Sequence, residues 1–136
     1  MNLIDLNVLL DVLQKREPHY RASAAVLELI VEGRVAGALP VHAVTTVHYI
    51  VRKYQEAGKA DEAVDWLLRH FHILAAGHTE LLRARVLGWR DFEDAVVAAV
   101  AASNGCEAIV TRNVKDFATS PVPALTPDEY LASLEN

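Results

Sequence analysis

Apolar and polar positions along this chain alternate between two spacings. Residues 3–4, 35–39, 72–75 and 106–111 are short apolar runs bounded by turn-forming residues, the pattern of buried strands. Between them lie longer segments whose apolar residues recur every three or four positions. Asn7 can cap a helix that runs through Leu13 and that Glu17-Pro18 breaks. Residues 20–32 place Ala24, Leu27, Ile30 and Val31 on one helical face, and Gly33 ends that helix. Residues 41–54 place Val44, Val47, Tyr49, Ile50 and Val51 similarly, with Arg52-Lys53 suited to the C-terminal end. Gly58 separates this helix from residues 60–70, where Ala63, Val64, Leu67 and Leu68 share a side and Trp66 packs between helices. Residues 78–87 form another helix, residues 121–127 read as a connection, and residues 127–134 close the chain as a helix.

The order is therefore strand, two helices, repeated three times, then a fourth strand and a closing helix. Strands joined by helical crossovers predict an α/β sandwich: a central parallel sheet of four to five strands with helices on both faces. No period repeats and no low-complexity segment interrupts it, so residues 1–136 are expected to form one domain.

The stretch from Asp91 to Phe117 concentrates the chemistry. Asp91 and Asp94 are three residues apart and lie on one side of a helix, at its positively polarised N-terminal end. Small residues Ala95, Ala98, Ala99 and Ala102 permit a close approach by a neighbouring element. Asn104-Gly105 ends the helix, and residues 106–111 lead into the polar turn Arg112-Asn113-Val114-Lys115-Asp116. One reading of Asp91 and Asp94 is a simple cap. The other is a ligand site, because ligands of open α/β sheets sit outside the carboxyl ends of the strands, where residues 111–116 fall. A second acid, Asp5, ends the first strand, and a carboxylate beside an apolar strand is costly unless a cation or donor meets it. Asp11, four residues after Asn7, is expected to be an exposed helical charge.

Composition narrows the classes. With 136 residues and 52% hydrophobic content the chain suits one core, and a net charge of −5 limits any nucleic-acid contact to local basic residues. Arg112, Lys115, Arg52 and Lys53 are candidates for that contact, with solvated surface charge as the plainer reading. The single cysteine, Cys106, lies in an apolar run as a core thiol does. Nothing before Leu3 resembles a leader, and no apolar run reaches the ~20 residues that span a bilayer, so a cytoplasmic protein without a membrane partner is expected. His70 and His72 lack the spacing and partners of a metal site, and His48 either faces the acids or is simply a polar helix position. Neither a nucleophile elbow nor a Gly-rich phosphate loop is present.

The segments LIDLNVLLDVL, DFEDAVVAAVA and IVTRNVKDF, in that order, resemble the PIN-domain superfamily, specifically its VapC-like branch of small ribonucleases. The resemblance covers essentially the whole chain. It implies a PIN-like three-layer sandwich with acids at the carboxyl edge of the sheet, binding Mg²⁺ or Mn²⁺ for RNA hydrolysis. By position, Asp5 matches the first acid, Asp94 the acid of the penultimate helix, and Asp116, with Asn113 beside it, the acidic loop after the fourth strand. It further implies a homodimer and a cognate antitoxin that occludes the site. The chain departs from the family at Thr46, the nearest match to a glutamate that most active members carry, and at Asn113, where an aspartate is common. Asp91 or Glu93 can compensate. The alternative is a degenerate PIN domain that binds RNA or protein without cutting.

Overall fold

The computed structural model describes residues 1–135, which form five strands and seven helices. The strands are β1 (Asn2–Ile4), β2 (Gly37–Pro40), β3 (His72–Leu74), β4 (Ala108–Val110) and β5 (Ala124–Leu125). The helices are α1 (Leu6–Leu13), α2 (Tyr20–Val31), α3 (Val41–Tyr54), α4 (Ala57–His70), α5 (His78–Leu87), α6 (Phe92–Ser103) and α7 (Pro127–Ser133), and Val114–Phe117 adds one 3-10 turn. All strand pairs are parallel, in the order β3-β2-β1-β4-β5.

Strands this short are stable because both faces are buried. Leu3, aligned with Ala38 and Ile109, packs with α5 and α6, whereas Ile4, Leu39 and Val110 pack with α1, α2, α3, α4 and α7. That two-residue alternation assigns one core to each side of the sheet. The alanines of α6 let it lie close against α5 and the sheet: residues 95–101 are all buried. Gly105, at φ 65°, makes the turn from α6 toward β4.

The α/β sandwich and its parallel sheet match the sequence expectation, with local differences. Residues 121–127 contain β5, which is held by Ile109 N–H donating to the Pro123 carbonyl and Thr111 N–H to that of Leu125, both at 2.9 Å. Two residues between prolines carry no periodic signal. Gly58 lies inside the first turn of α4 rather than separating two helices. Cys106 and Glu107 precede β4, and β2 starts at Gly37 rather than at residue 35. Tyr49 and Leu68 point outward from α3 and α4. Asp11 is fully buried rather than exposed, for a reason that belongs to the site.

Strand order places the site. The chain moves outward from β1 through β2 to β3, then returns to the other side of β1 for β4 and β5. Connections at the carboxyl ends of β1 and β4 therefore diverge and leave a crevice between them.

Candidate active site

Asp5 and Thr111 follow β1 and β4 directly and meet in that crevice. Asp5 is the N-cap of α1: its Oδ1 accepts from the Leu6 N–H at 2.8 Å, and its Oδ2 accepts from the Thr111 hydroxyl at 2.8 Å and from Asn7 Nδ2 at 3.4 Å. Thr111 Oγ1 also accepts from Asn7 Nδ2 at 3.2 Å and from the Asn113 N–H at 3.1 Å, so its one proton is committed to Asp5. Asn7 is thus not the cap; it stitches the two strand ends, with its Oδ1 accepting from the Arg112 N–H at 3.3 Å. Burial still pushes the Asp5 carboxyl above its usual range, the Thr111 and Leu6 donors oppose this, Glu93 adds to it and His42 opposes it.

Asp94 stands at the opening of α6. Asp91 is the N-cap, its Oδ1 accepting from the Asp94 N–H at 3.1 Å, so the capping geometry expected from their spacing is present. Capping does not use the Asp94 carboxyl. That group is half-buried and its pKa is raised to about 7, first by desolvation and then by the charges of Asp5, Asp91, Asp116 and Glu93. Four acids from three parts of the chain therefore act on it. Asp116 is carried by the 3-10 turn, with its N–H donating to the Asn113 carbonyl at 2.9 Å, and both Asn113 and Asp116 are exposed.

The helix after β2 contributes a histidine that sequence reasoning missed. His42 Nε2 lies 3.9 Å from Glu93 Oε1, and Thr46, one turn later, shares its face. His48 is turned away: its Nε2 lies 3.3 Å from Asp61 Oδ1 on α4, so it does not face the acids. Arg112 is half-buried and paired within the chain rather than being a freely solvated surface charge. Its Nε lies 2.7 Å from Oδ2 of Asp11, which is 0% exposed and also accepts from the Ser23 hydroxyl at 3.1 Å. This partner is why Asp11 is buried. The Arg112 Nε–H is not aligned on the carboxylate, and among the described residues Asp11 Oδ1 has no hydrogen-bond partner, so the contact is one of charge more than of hydrogen bonding.

Beside the acids lies an open groove of about 560 Å³ lined by Trp89, Arg90, Asp91, Phe92 and Asp116. Trp89 is fixed by its indole N–H donating to Thr119 Oγ1 at 2.8 Å and by an edge-on contact with Phe117, ring centroids 5.6 Å apart. Trp89 and Arg90 escaped sequence reasoning because the segment before Asp91 carries no periodic pattern. Lys115 is exposed beside Asp116, while Arg52 and Lys53 lie in the last turn of α3, away from its N-terminal end.

A family model described as PIN domain matches residues 2–115. The chain belongs to the PIN-domain family. Among solved structures it is similar to a toxin–antitoxin complex from Klebsiella pneumoniae, with 25% identity, 93% of this chain and 98% of that chain covered, and a TM-score of 0.71. It shares its fold with FitAcB from Neisseria gonorrhoeae, at 22% identity, 93% and 98% coverage and a TM-score of 0.68. The same holds for VapC20 of Mycobacterium tuberculosis, a Sarcin-Ricin loop cleaving toxin, at 12% identity, 90% and 96% coverage and a TM-score of 0.64. No curated protein sequence matches the chain.

For a PIN domain, the donor set suits a hard divalent cation: the carboxylates of Asp5, Asp94 and Asp116, the amide of Asn113 and the hydroxyl of Thr46 are all oxygen donors. The raised Asp94 carboxyl marks a shortage of positive charge among them. Among the described residues no three His, Cys, Asp or Glu side chains are drawn together closely enough to hold an ion, and none of the helices is long and apolar enough to cross a membrane.

Proposed function

We propose that this PIN domain is a divalent-metal-dependent endoribonuclease and the toxin of a type II toxin–antitoxin pair. The observation that carries the reading is Asp94, a half-buried carboxyl raised to about 7 by its own burial and by Asp5, Asp91, Asp116 and Glu93. Acids crowded in this way repel one another unless a cation joins them. Mg²⁺ or Mn²⁺ bound there would lower the pKa of a bound water and neutralise charge on the scissile phosphate. Asp5, Asp94 and Asp116 are the proposed ligands, Asn113 and Thr46 supply neutral oxygens, and Asp91 is an acid at the rim. The hydrogen bonds from Leu6, Thr111 and Asn7 hold the Asp5 carboxylate in one orientation, so it needs little rearrangement to ligate.

The partners follow from the same reading. RNA is the substrate, and an antitoxin is supported by the toxin–antitoxin complex from Klebsiella pneumoniae. A wholly apolar cleft of about 240 Å³ lined by Leu9, Val12, Leu27, Val47, Trp66 and Leu67 offers such a partner a seat. Homodimer formation is supported by exposed apolar residues on α5, Leu82 and Val86, the latter 86% exposed. We read residues 1–136 as one domain acting in the cytoplasm.

A second reading, a PIN domain that binds without cutting, is favoured by Thr46 and Asn113 standing where carboxylates are common and by there being, among the described residues, no three acids grouped to hold an ion. The two part in one experiment. Purified protein is incubated with a mixed RNA panel under Mg²⁺ or Mn²⁺, beside Asp94→Asn, and the expected outcome is metal-dependent cleavage that the variant loses. Folded wild type that cleaves nothing under either metal selects the binding module.

A further inference from the structure

The amino edge of the sheet, opposite the acids, gathers hydrogen-bond donors and positive charge into one groove. A cleft of about 400 Å³ there is lined by Arg34, Arg69, His70 and His72, together with apolar Ile30 and Val35. Three separate parts of the chain supply the four polar side chains: Arg34 follows α2, Arg69 and His70 end α4, and His72 opens β3. One basic residue at a helix end is ordinary, because it offsets the carbonyl dipoles there. Here the backbone itself meets much of that need. The Leu29 carbonyl accepts from the Arg34 N–H at 2.9 Å and the Val35 N–H at 3.4 Å, that of Ile30 from the Gly33 N–H at 3.0 Å, and that of Leu67 from the Phe71 N–H at 2.9 Å. Among the described residues Arg69 has no carboxylate partner, and Arg34 has only Glu32, at 3.7 Å with both side chains exposed, a weak pair. The His70 ring packs against Trp66, with ring centroids 5.1 Å apart.

We propose that Arg34, Arg69, His70 and His72 form an anion site at the amino edge that takes an oligophosphate, a chain of two or three linked phosphate groups. Guanidinium forks match phosphate oxygens bidentately, and an imidazole offers an N–H donor in either of its protonation forms. Two forks on different elements can grip two phosphate groups at once, which a single phosphate ion cannot exploit. The groove is large enough for such a chain, lying within the about 300–1,000 Å³ of small-ligand pockets. An anion is also drawn here rather than to the opposite edge, where Asp5, Asp91, Glu93, Asp94 and Asp116 repel it in the absence of metal. β2 runs from the groove, at Gly37, to the acid edge, at Pro40, in four residues, about 13 Å. A ligand held at the amino edge therefore does not touch the acids, and the site is independent of the nuclease reading.

The test uses pyrophosphate as the probe, titrated calorimetrically into the metal-free protein at low salt in EDTA. Saturable binding is expected, which Arg69→Gln and Arg34→Gln should each weaken about tenfold. Lys59→Gln removes the same charge at the other end of α4 and should leave binding unchanged. All three positions are exposed, and thermal melts check that each variant is folded. In NMR spectra of the histidine rings, pyrophosphate should move the His70 and His72 signals and leave those of His42 and His48, on α3, in place. Competition then identifies the source of the oligophosphate, with ATP and with short single-stranded RNAs bearing a 5′-triphosphate or a 5′-hydroxyl; EDTA also prevents metal-dependent cleavage of these RNAs. Displacement by ATP alone assigns the site to a free nucleotide, and displacement by the triphosphate RNA but not the hydroxyl RNA assigns it to an RNA end. Displacement by the hydroxyl RNA as effective as by the triphosphate RNA overturns the preference for an oligophosphate in favour of a phosphodiester backbone. No saturable binding by folded wild type, or equal weakening by Lys59→Gln and Arg69→Gln, overturns the site itself.

Discussion

If the carboxyl of Asp94 is held near neutrality by burial and by its acidic neighbours, removing its charge stabilises the metal-free protein, and only at high pH. Moving a carboxyl from its ordinary 3.8 to about 7 corresponds to at most about 4 kcal/mol of unfavourable ionisation in the folded state. The group is only half-buried, so solvent screening reduces this to about 1–2 kcal/mol. The sign follows from proton binding. Between 3.8 and about 7 the folded protein keeps a proton that the unfolded chain has released, so stability falls as pH rises through that window and is lowest above it. Asp94→Asn mimics the protonated form at every pH. The variant should therefore exceed wild type by about 1–2 kcal/mol near pH 8, about 3–8 °C in Tm for a chain of this size, and match it near pH 4. Urea and thermal unfolding in EDTA at the two pH values measure the difference. A variant that is equal to or less stable than wild type near pH 8, or one whose advantage persists unchanged near pH 4, refutes the charge-crowding argument.

Three further outcomes are expected. Thr46→Glu returns a carboxylate to the α3 face that carries His42, and should tighten Mn²⁺ binding by about tenfold in calorimetry; unchanged affinity would mean that this position does not reach the acids. Asp91→Ala removes the cap on α6 and should cost about 1 kcal/mol in urea unfolding, whereas Asp91→Asn should remain within a few tenths of wild type because its side-chain oxygen still accepts from the Asp94 N–H. Arg112→Met strands the buried Asp11 and should cost about 3 kcal/mol; pairing it with Asp11→Leu should recover most of that loss, and an additive double variant would show that the two charges do not depend on each other.

What could be read from the sequence was what depends on near neighbours. The two-residue alternation of Leu3-Ile4 and the three- to four-residue spacing of α2, α3 and α6 each reflect contacts set by local geometry, and they sufficed for the parallel sheet and both helical layers. The acids were legible because the chain puts Asp5 at a strand end and Asp94 in a first helical turn. What escaped depends on partners far apart in sequence. Thr111 donates to Asp5 across 106 positions, and nothing in either segment announces it. Asp11 looked like an ordinary helical charge because its partner, Arg112, follows the fourth strand. His42 and Arg90 matter only through the faces that the assembled fold gives them.

The contrast between Asp5 and Asp11 bears most directly on what the site does. Both are buried acids, six residues apart, and both sit beside the same strand end. Asp11 has a built-in cation, the Arg112 guanidinium at 2.7 Å, and its charge is met within the chain. Asp5 receives only neutral donors, from Leu6, Thr111 and Asn7, and its carboxyl remains raised. Residues 111–113 could in principle have supplied a positive side chain to Asp5 as they did to Asp11. Instead, Glu93 adds further negative charge beside Asp5, and Asp94, which Asp5 itself raises, is raised by Asp91, Asp116 and Glu93 as well. A fold that pairs one buried acid with a cation of its own and leaves the other with neutral donors and acidic neighbours is what the proposed external cation at the second site would require. The proposed metal-dependent chemistry would account for that asymmetry. A passive binding surface for RNA, whose backbone is itself negative, would be hindered by it. The asymmetry therefore favours the nuclease over the binding module despite the neutral residues at Thr46 and Asn113.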